Sequence, residues 1–336
     1  MDANPILVEQ TRGDSVENRH RGAFVVADAE GNVIAASGDI SRLVFPRSAI
    51  KSMQALAMVT SGAIDRFALS DEQLALACAS HHGEEVHVTK VAGFLDHLGL
   101  SGQNLECGAH PPANGKAREA LRAAGLPPTA LHNNCSGKHS GMLSVAQALG
   151  VDPAGYVERE HPVQVAVRSA IETVIGAPLS VDYCGRDGCS IPTWAAPLSG
   201  FAQGFAKMAT GRGLPPDLGA AARRIFDAAT ANPLLVAGTG HFDTLTMAAF
   251  GGRVMQKGGA EGVQCGAIRD KGWGYALKCD DGNMQASVVM VANLLLRYAS
   301  PDEEQAAVLG QFARQLVKNV RGTEVGEMRA VGEIAA

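Results

Sequence analysis

Aromatic side chains are scarce, 5% of 336 residues, while glycine supplies 39 positions. That balance favours turns and close backbone approaches over aromatic-rich interfaces. A basic stripe is also lacking: the net charge is -5, with lysine and arginine scattered among acids, so nothing offers a footprint for nucleic acid or an anionic membrane. The longest apolar run, "SVVMVANLLL", falls short of the roughly 18 residues a membrane span needs. The opening "MDANPILVEQTRG" has neither the basic leader nor the apolar stretch of a secretory signal. Seven cysteines, an odd number spread through the chain, do not make a disulfide framework. A cytoplasmic protein with reduced thiols, no nucleic-acid partner and no membrane partner is the expectation. Tandem repeats and low-complexity tracts are absent as well.

The composition is 46% hydrophobic, enough to enclose one large core or two modest ones. In "GAFVVADAEGNVIAASGD" two β-prone runs flank a turn at Gly31 and Asn32, which predicts a hairpin. "GRVMQKGG", "VQCGAIRD" and "WGYALKCDD" predict three more strands, followed by a buried helix in "GNMQASVVMVANLLLRYAS". Between the ends, helical spacing runs through "SAIKSMQALAMVTSG", "SDEQLALACASH", "EVHVTKVAGFLDHLG", "NGKAREALRAAG", "KHSGMLSVAQALG", "HPVQVAVRSAIETVIG" and "DLGAAARRIFDAAT". Ser70 and Gln73 have the spacing of a capping box. The reading is α+β: residues 1–336 as one catalytic unit, with terminal sheet segments at about 1–45 and 235–336 and a mainly helical middle at about 46–234. Strands from both ends would satisfy one another's backbone groups in a single antiparallel sheet.

Ser48 and Lys51 in "FPRSAIKSMQAL" stand three residues apart at the mouth of a helix, where side chains share a face. A serine hydroxyl becomes nucleophilic when a base takes its proton, and a lysine serves as that base once desolvation or nearby cations lower its pKa. The same pattern also describes an ordinary helix cap followed by a solvated lysine. Two further residues add to it: Ser80 in "ACASHHGEEVH" and Lys257 in "MQKGGAEGV". Penicillin-binding-type serine hydrolases place a helical Ser-x-x-Lys, a second serine on a loop and a Lys-x-Gly on an edge strand around one pocket, in this chain order.

"HNNCSGKHSG" sets Cys135 three residues before Lys138, with His139 beside it, and "CGRDGCSIP" sets Asp187 two before Cys189. Thiolate, imidazole and carboxylate are zinc ligands, although a Cys-x-x-Cys pair is missing and the cysteines can equally be buried thiols in glycine-rich turns. The segment "AGTGHFDT", Ala237 to Thr244, is a polar, glycine-bearing turn and a candidate substrate loop.

Taken together, "RSAIKSMQ", "ASHHGE", "NNCSGKHSGML", "DGCSIPTW", "AGTGHFDT" and "KGGAEGV" resemble the rhizobial-type L-asparaginases of the asparaginase II family, over nearly the whole chain. The resemblance implies a fold similar to serine β-lactamases and glutaminases, hydrolysis of L-asparagine to L-aspartate and ammonia, and a homodimer. It also implies two Ser-Lys couples, Ser48 with Lys51 and Ser80 with Lys257, and zinc held by Cys135, Lys138 and Cys189 with Asp187 adjacent. Ser48 is then the nucleophile and neutral Lys51 its base, with Ser80 and Lys257 relaying a proton to the departing amine. Arg47 and His139, with Asp187, are the candidates for gripping substrate. Rival readings are a glutaminase or other amidase on the same scaffold, and a non-catalytic zinc or amino-acid binding protein.

Overall fold

The structure, a computed structural model, describes residues 3–336; Met1 and Asp2 of the opening stretch lie outside it. Its strands are β1 (Ile6–Arg12), β2 (Ser15–Asp28), β3 (Val33–Ser37), β4 (Leu43–Val44), β5 (Cys184–Arg186), β6 (Pro192–Trp194), β7 (Ala196–Pro197), β8 (Val254–Gly259), β9 (Val263–Ile268), β10 (Trp273–Cys279), β11 (Arg314–Lys318) and β12 (Glu324–Ala330). Eight of them form one antiparallel sheet in the order β11-β12-β1-β2-β10-β9-β8, with β3 also paired to β2. Both ends of the chain therefore enter a single sheet, as their need for backbone partners requires.

The long strand β2 organises this sheet. Its first half pairs with β1 and its second half with β10 and β3. The expected hairpin joins β2 to β3, with Gly31 at φ +89° and the Asp28 carboxylate accepting from the Asn32 amide at 2.8 Å. Side chains alternate along β2: Ala23, Val25 and Ala27 enter one apolar core, Phe24 and Val26 the other. The sheet is thus covered on both faces, which explains why "GAFVVADA" reads as a continuous apolar run.

On one face lie the helices Met284–Tyr298 and Glu303–Ala313. On the other, Leu198–Thr210 packs against β2, β9 and β10, and the rest of the helical middle builds outward from it. Gly274 of β10 makes that packing possible, because a Cβ there would stand 2.0 Å from the Ala202 carbonyl oxygen. The seven helices expected from periodicity are present, and the capping box at Ser70 closes through Gln73 in both directions, at 3.3 and 2.8 Å. The segment after residue 233 differs from the expected sheet: Pro233–Ala237 and Phe242–Phe250 are helical, and strands resume at Val254.

Candidate active site

Three stretches converge where β8 meets the helical layer. Ser48 lies in the single 3-10 turn Arg47–Ile50, which leads directly into the helix Lys51–Thr60. Ser80 lies in the loop after the helix Asp71–Ala77, pinned by its amide to the Val236 carbonyl at 2.8 Å. Lys257 lies on β8, whose Gly259 lets strand and turn touch: a Cβ there would stand 2.7 Å from the Pro46 oxygen. Ser48, Ser80 and Lys257 line one cavity of about 640 Å³, together with His82, His110, Asn134, Thr239, His241 and Gln264.

The lysines form a different set of bonds from two separate Ser-Lys couples. Lys51 Nζ donates to Ser80 Oγ at 2.9 Å, to the Ala79 carbonyl at 2.6 Å and to Cys135 Sγ at 3.1 Å. Lys257 Nζ donates to the same Ser80 Oγ at 3.0 Å and to the Gly258 carbonyl at 2.7 Å. Both lysines are 1% exposed and meet on one hydroxyl. Ser48 lines the cavity and makes none of these bonds. The four residues are brought together, but the partner of Lys51 is Ser80 and not Ser48.

Burial pushes the Lys257 amine down from its ordinary value to about 8, with the charge of Lys51 assisting and that of Asp243 opposing. Asp243 is itself enclosed, accepts from the Gly258 amide at 2.9 Å and from Gln256 at 3.2 Å, and stands 3.9 Å from Lys257 Nζ. Sequence reasoning left Asp243 unassigned, although it sits inside "AGTGHFDT". That segment does reach the cavity through Thr239, Gly240, His241 and Phe242. Glu84 holds the loop by accepting from the Thr239 amide at 2.7 Å and hydroxyl at 2.6 Å.

The expected grip of Arg47, His139 and Asp187 on a substrate is revised by their placement, because none of the three lines this cavity. His139 is 0% exposed and its Nδ1 meets the Tyr156 hydroxyl at 2.6 Å. Arg47 turns away to Asp187, Nη2 to Oδ1 at 2.7 Å. It holds φ +52°, a left-handed conformation that costs a non-glycine residue about 1–2 kcal/mol. Burial raises the Asp187 carboxyl, but Lys138, the Gly188 amide and Arg47 outweigh it and keep the pKa below the usual range. The pair therefore fixes the turn that presents Ser48. Of the other wall residues, His82 and Asn134 were marked only as parts of motifs, and His110 lay in no motif at all.

Behind the wall, Cys135, Lys138 and Cys189 cluster, with Lys138 Nζ 2.9 Å from Cys189 Sγ and a hydrogen bond shared by the two sulfurs. All three are enclosed. The bond from Cys189 holds the Cys135 thiol well below its ordinary range, against burial and with help from Lys138 and Lys51. Two thiols and an amine suit a borderline-soft cation such as zinc once they have given up their protons. Cys135 connects this set to the serines, since it accepts from Lys51 and directly follows the cavity residue Asn134.

Comparison with known proteins places the chain in a family. A family model described as L-asparaginase II matches residues 8–330. No curated protein matches the chain in sequence. Among solved structures it is similar to Mglu in its native form, at 15% identity and TM-score 0.47, over 84% of this chain and 66% of that one. It is similar also to Mglu in its glutamate form, at 15% and 0.42, over 79% and 57%. A β-lactamase from Mycobacterium bovis is similar at 13% and 0.37, over 78% and 88%. The chain thus spans less than two thirds of the length of the Mglu chains in these two pairings.

Proposed function

Because the chain belongs to the L-asparaginase II family, an amidohydrolase family, we propose that it hydrolyses L-asparagine to L-aspartate and ammonia with Ser48 as nucleophile. The observation that carries this reading is the meeting of Lys51 and Lys257 on Ser80 Oγ, in a cavity that Ser48 also lines. Ser48 attacks the side-chain amide carbon, and its proton enters the Lys51, Ser80 and Lys257 relay through a hydrogen bond that closes once substrate is bound. Lys257, held at about 8, is the member able to store that proton near neutral pH. The proton returns through Ser80 to the departing ammonia, and water then frees aspartate from the acyl-enzyme. Backbone amides at the start of the Ser48 turn would hold the oxyanion.

Ammonia release from L-asparagine by the purified protein tests the assignment. Ser48→Ala should lower kcat by about a thousandfold or more. Ser80→Ala, which removes a relay and leaves the nucleophile, should lower it by about a hundredfold. Full activity in Ser48→Ala would remove that residue from the role. The same assay with L-glutamine separates the rival amidase, since one methylene is worth only about 1–3 kcal/mol of discrimination.

Zinc on Cys135, Lys138 and Cys189 is part of the proposal. When bound it would supply positive charge that orients the substrate's α-amino or carboxylate group or fixes the loops carrying the two cysteines. Cys135 also accepts from Lys51, so Cys135→Ala should lower kcat as well as raise KM. Chelation of the unaltered protein should act mainly on KM, and the contrast between the two treatments separates metal from sulfur. A cytoplasmic homodimer completes the proposal. All seven cysteines are free, which suits a reducing compartment, and no helix among the described residues is long and apolar enough to cross a membrane. Sedimentation measures the dimer directly.

A further inference from the structure

On the opposite side of the sheet from Cys135, one other group of donors comes together. His20 lies on the first half of β2, Cys279 ends β10, and Asp281 follows in the turn before the helix Met284–Tyr298. His20 Nδ1 is 2.7 Å from Asp281 Oδ2, and Cys279 Sγ donates to Asp281 Oδ1 at 3.0 Å. One ligand atom from each residue falls within 4.8 Å of the others. His20 and Cys279 are buried, whereas the Asp281 side chain is 48% exposed.

We propose that His20, Cys279 and Asp281 form a second binding site for a zinc-class divalent cation, distinct from the Cys135 cluster. An imidazole, a thiolate and a carboxylate are the three donor types such a cation accepts, at about 2.0–2.3 Å each. Tetrahedral binding spreads the present 2.7 and 3.0 Å contacts by less than about an ångström, within reach of an exposed aspartate. Binding releases the Cys279 thiol proton to solvent, and the His20 ring gives its Nδ1 lone pair to the cation with a proton held on Nε2. The exposed side of Asp281 leaves the fourth position to water.

Such a cation would join β2, β10 and the turn that precedes the helix carrying Met284 and Gln285, both at the catalytic cavity wall. It therefore steadies one wall of the cavity from outside and takes no part in bond breaking.

Cobalt(II) titration of the purified protein tests the site, because a thiolate bound to cobalt gives a charge-transfer absorbance. In a Cys135→Ala/Cys189→Ala background the band should remain, at one equivalent per chain, and it should vanish when Cys279→Ala is added. In the otherwise unaltered protein, Cys279→Ala should lower bound cobalt by one equivalent while near-ultraviolet dichroism, reporting an intact fold, is kept. His20→Gln should weaken cobalt binding by at least about tenfold, the loss that even an outer-shell partner brings. If the double-alanine background fails to fold, the stoichiometry in Cys279→Ala decides alone. Cobalt binding by Cys279→Ala equal to that of the unaltered protein would overturn the site, as would a band surviving in the triple variant.

Discussion

A hydroxyl oxygen has two acceptor positions, and Ser80 offers both to lysine amines, which leaves its proton as the part free to move. That occupancy suits a relay and argues against Ser80 as attacker, whereas Ser48 keeps its lone pairs for the cavity. Lys51 faces three acceptors, the number an ammonium can serve, while Lys257 faces two and has a pKa near 8. The storage site for the proton is therefore assigned to Lys257. For a base that must be neutral, kcat/KM should rise with pH through about 8. Asp243 opposes the lowering, so Asp243→Asn should move that limb down by about one unit, with Gly258 still able to donate to the amide oxygen. A pH profile unchanged in that variant would show that another group governs the limb.

Ser48, Ser80 and Lys257, the residues of the proposed chemistry, sit on three elements held close by small residues, and Gly259 of β8 lies against the Ser48 turn. Its absent Cβ would lie 2.7 Å from the Pro46 oxygen and 2.9 Å from the Ala49 nitrogen. Gly259→Ala should part Ser48 from Lys257, lower kcat by about a hundredfold and lower the unfolding midpoint as well, because backbone atoms must give way, measured by assay and thermal melt together. Much of this layer was legible in the sequence, because amphipathic helices and the hairpin turn carry local signals. The helix Leu198–Thr210 was not: Gly200 and Gly204 interrupt its propensity, yet a Cβ on Gly204 would crowd Met53 at 2.8 Å, so packing demands what propensity disfavours. β11 and β12 were hidden for a different reason, being largely polar at the sheet's outer side. Ser80 and Lys257 were found through motif order, but the turn of Lys51 toward Ser80 depends on a loop 29 residues away, which spacing does not encode.

At the scale of the whole molecule, a sheet enclosed on both faces separates two cores, one under the helical middle and one beneath the helices Met284–Tyr298 and Glu303–Ala313. The serine and lysine cluster lies with the first core, so its low-dielectric surroundings exist only once the helical layer has docked on the strands. Ser80 and Lys257 are 177 positions apart along the chain. No fragment holds a working set, and closing so large a loop is entropically slow. After dilution from denaturant, the return of ammonia release should therefore follow the same time course as the slowest recovery of near-ultraviolet dichroism, and activity preceding that phase would contradict it. On the proposed function, catalytic competence would then arrive late in folding, with no partly active species along the way.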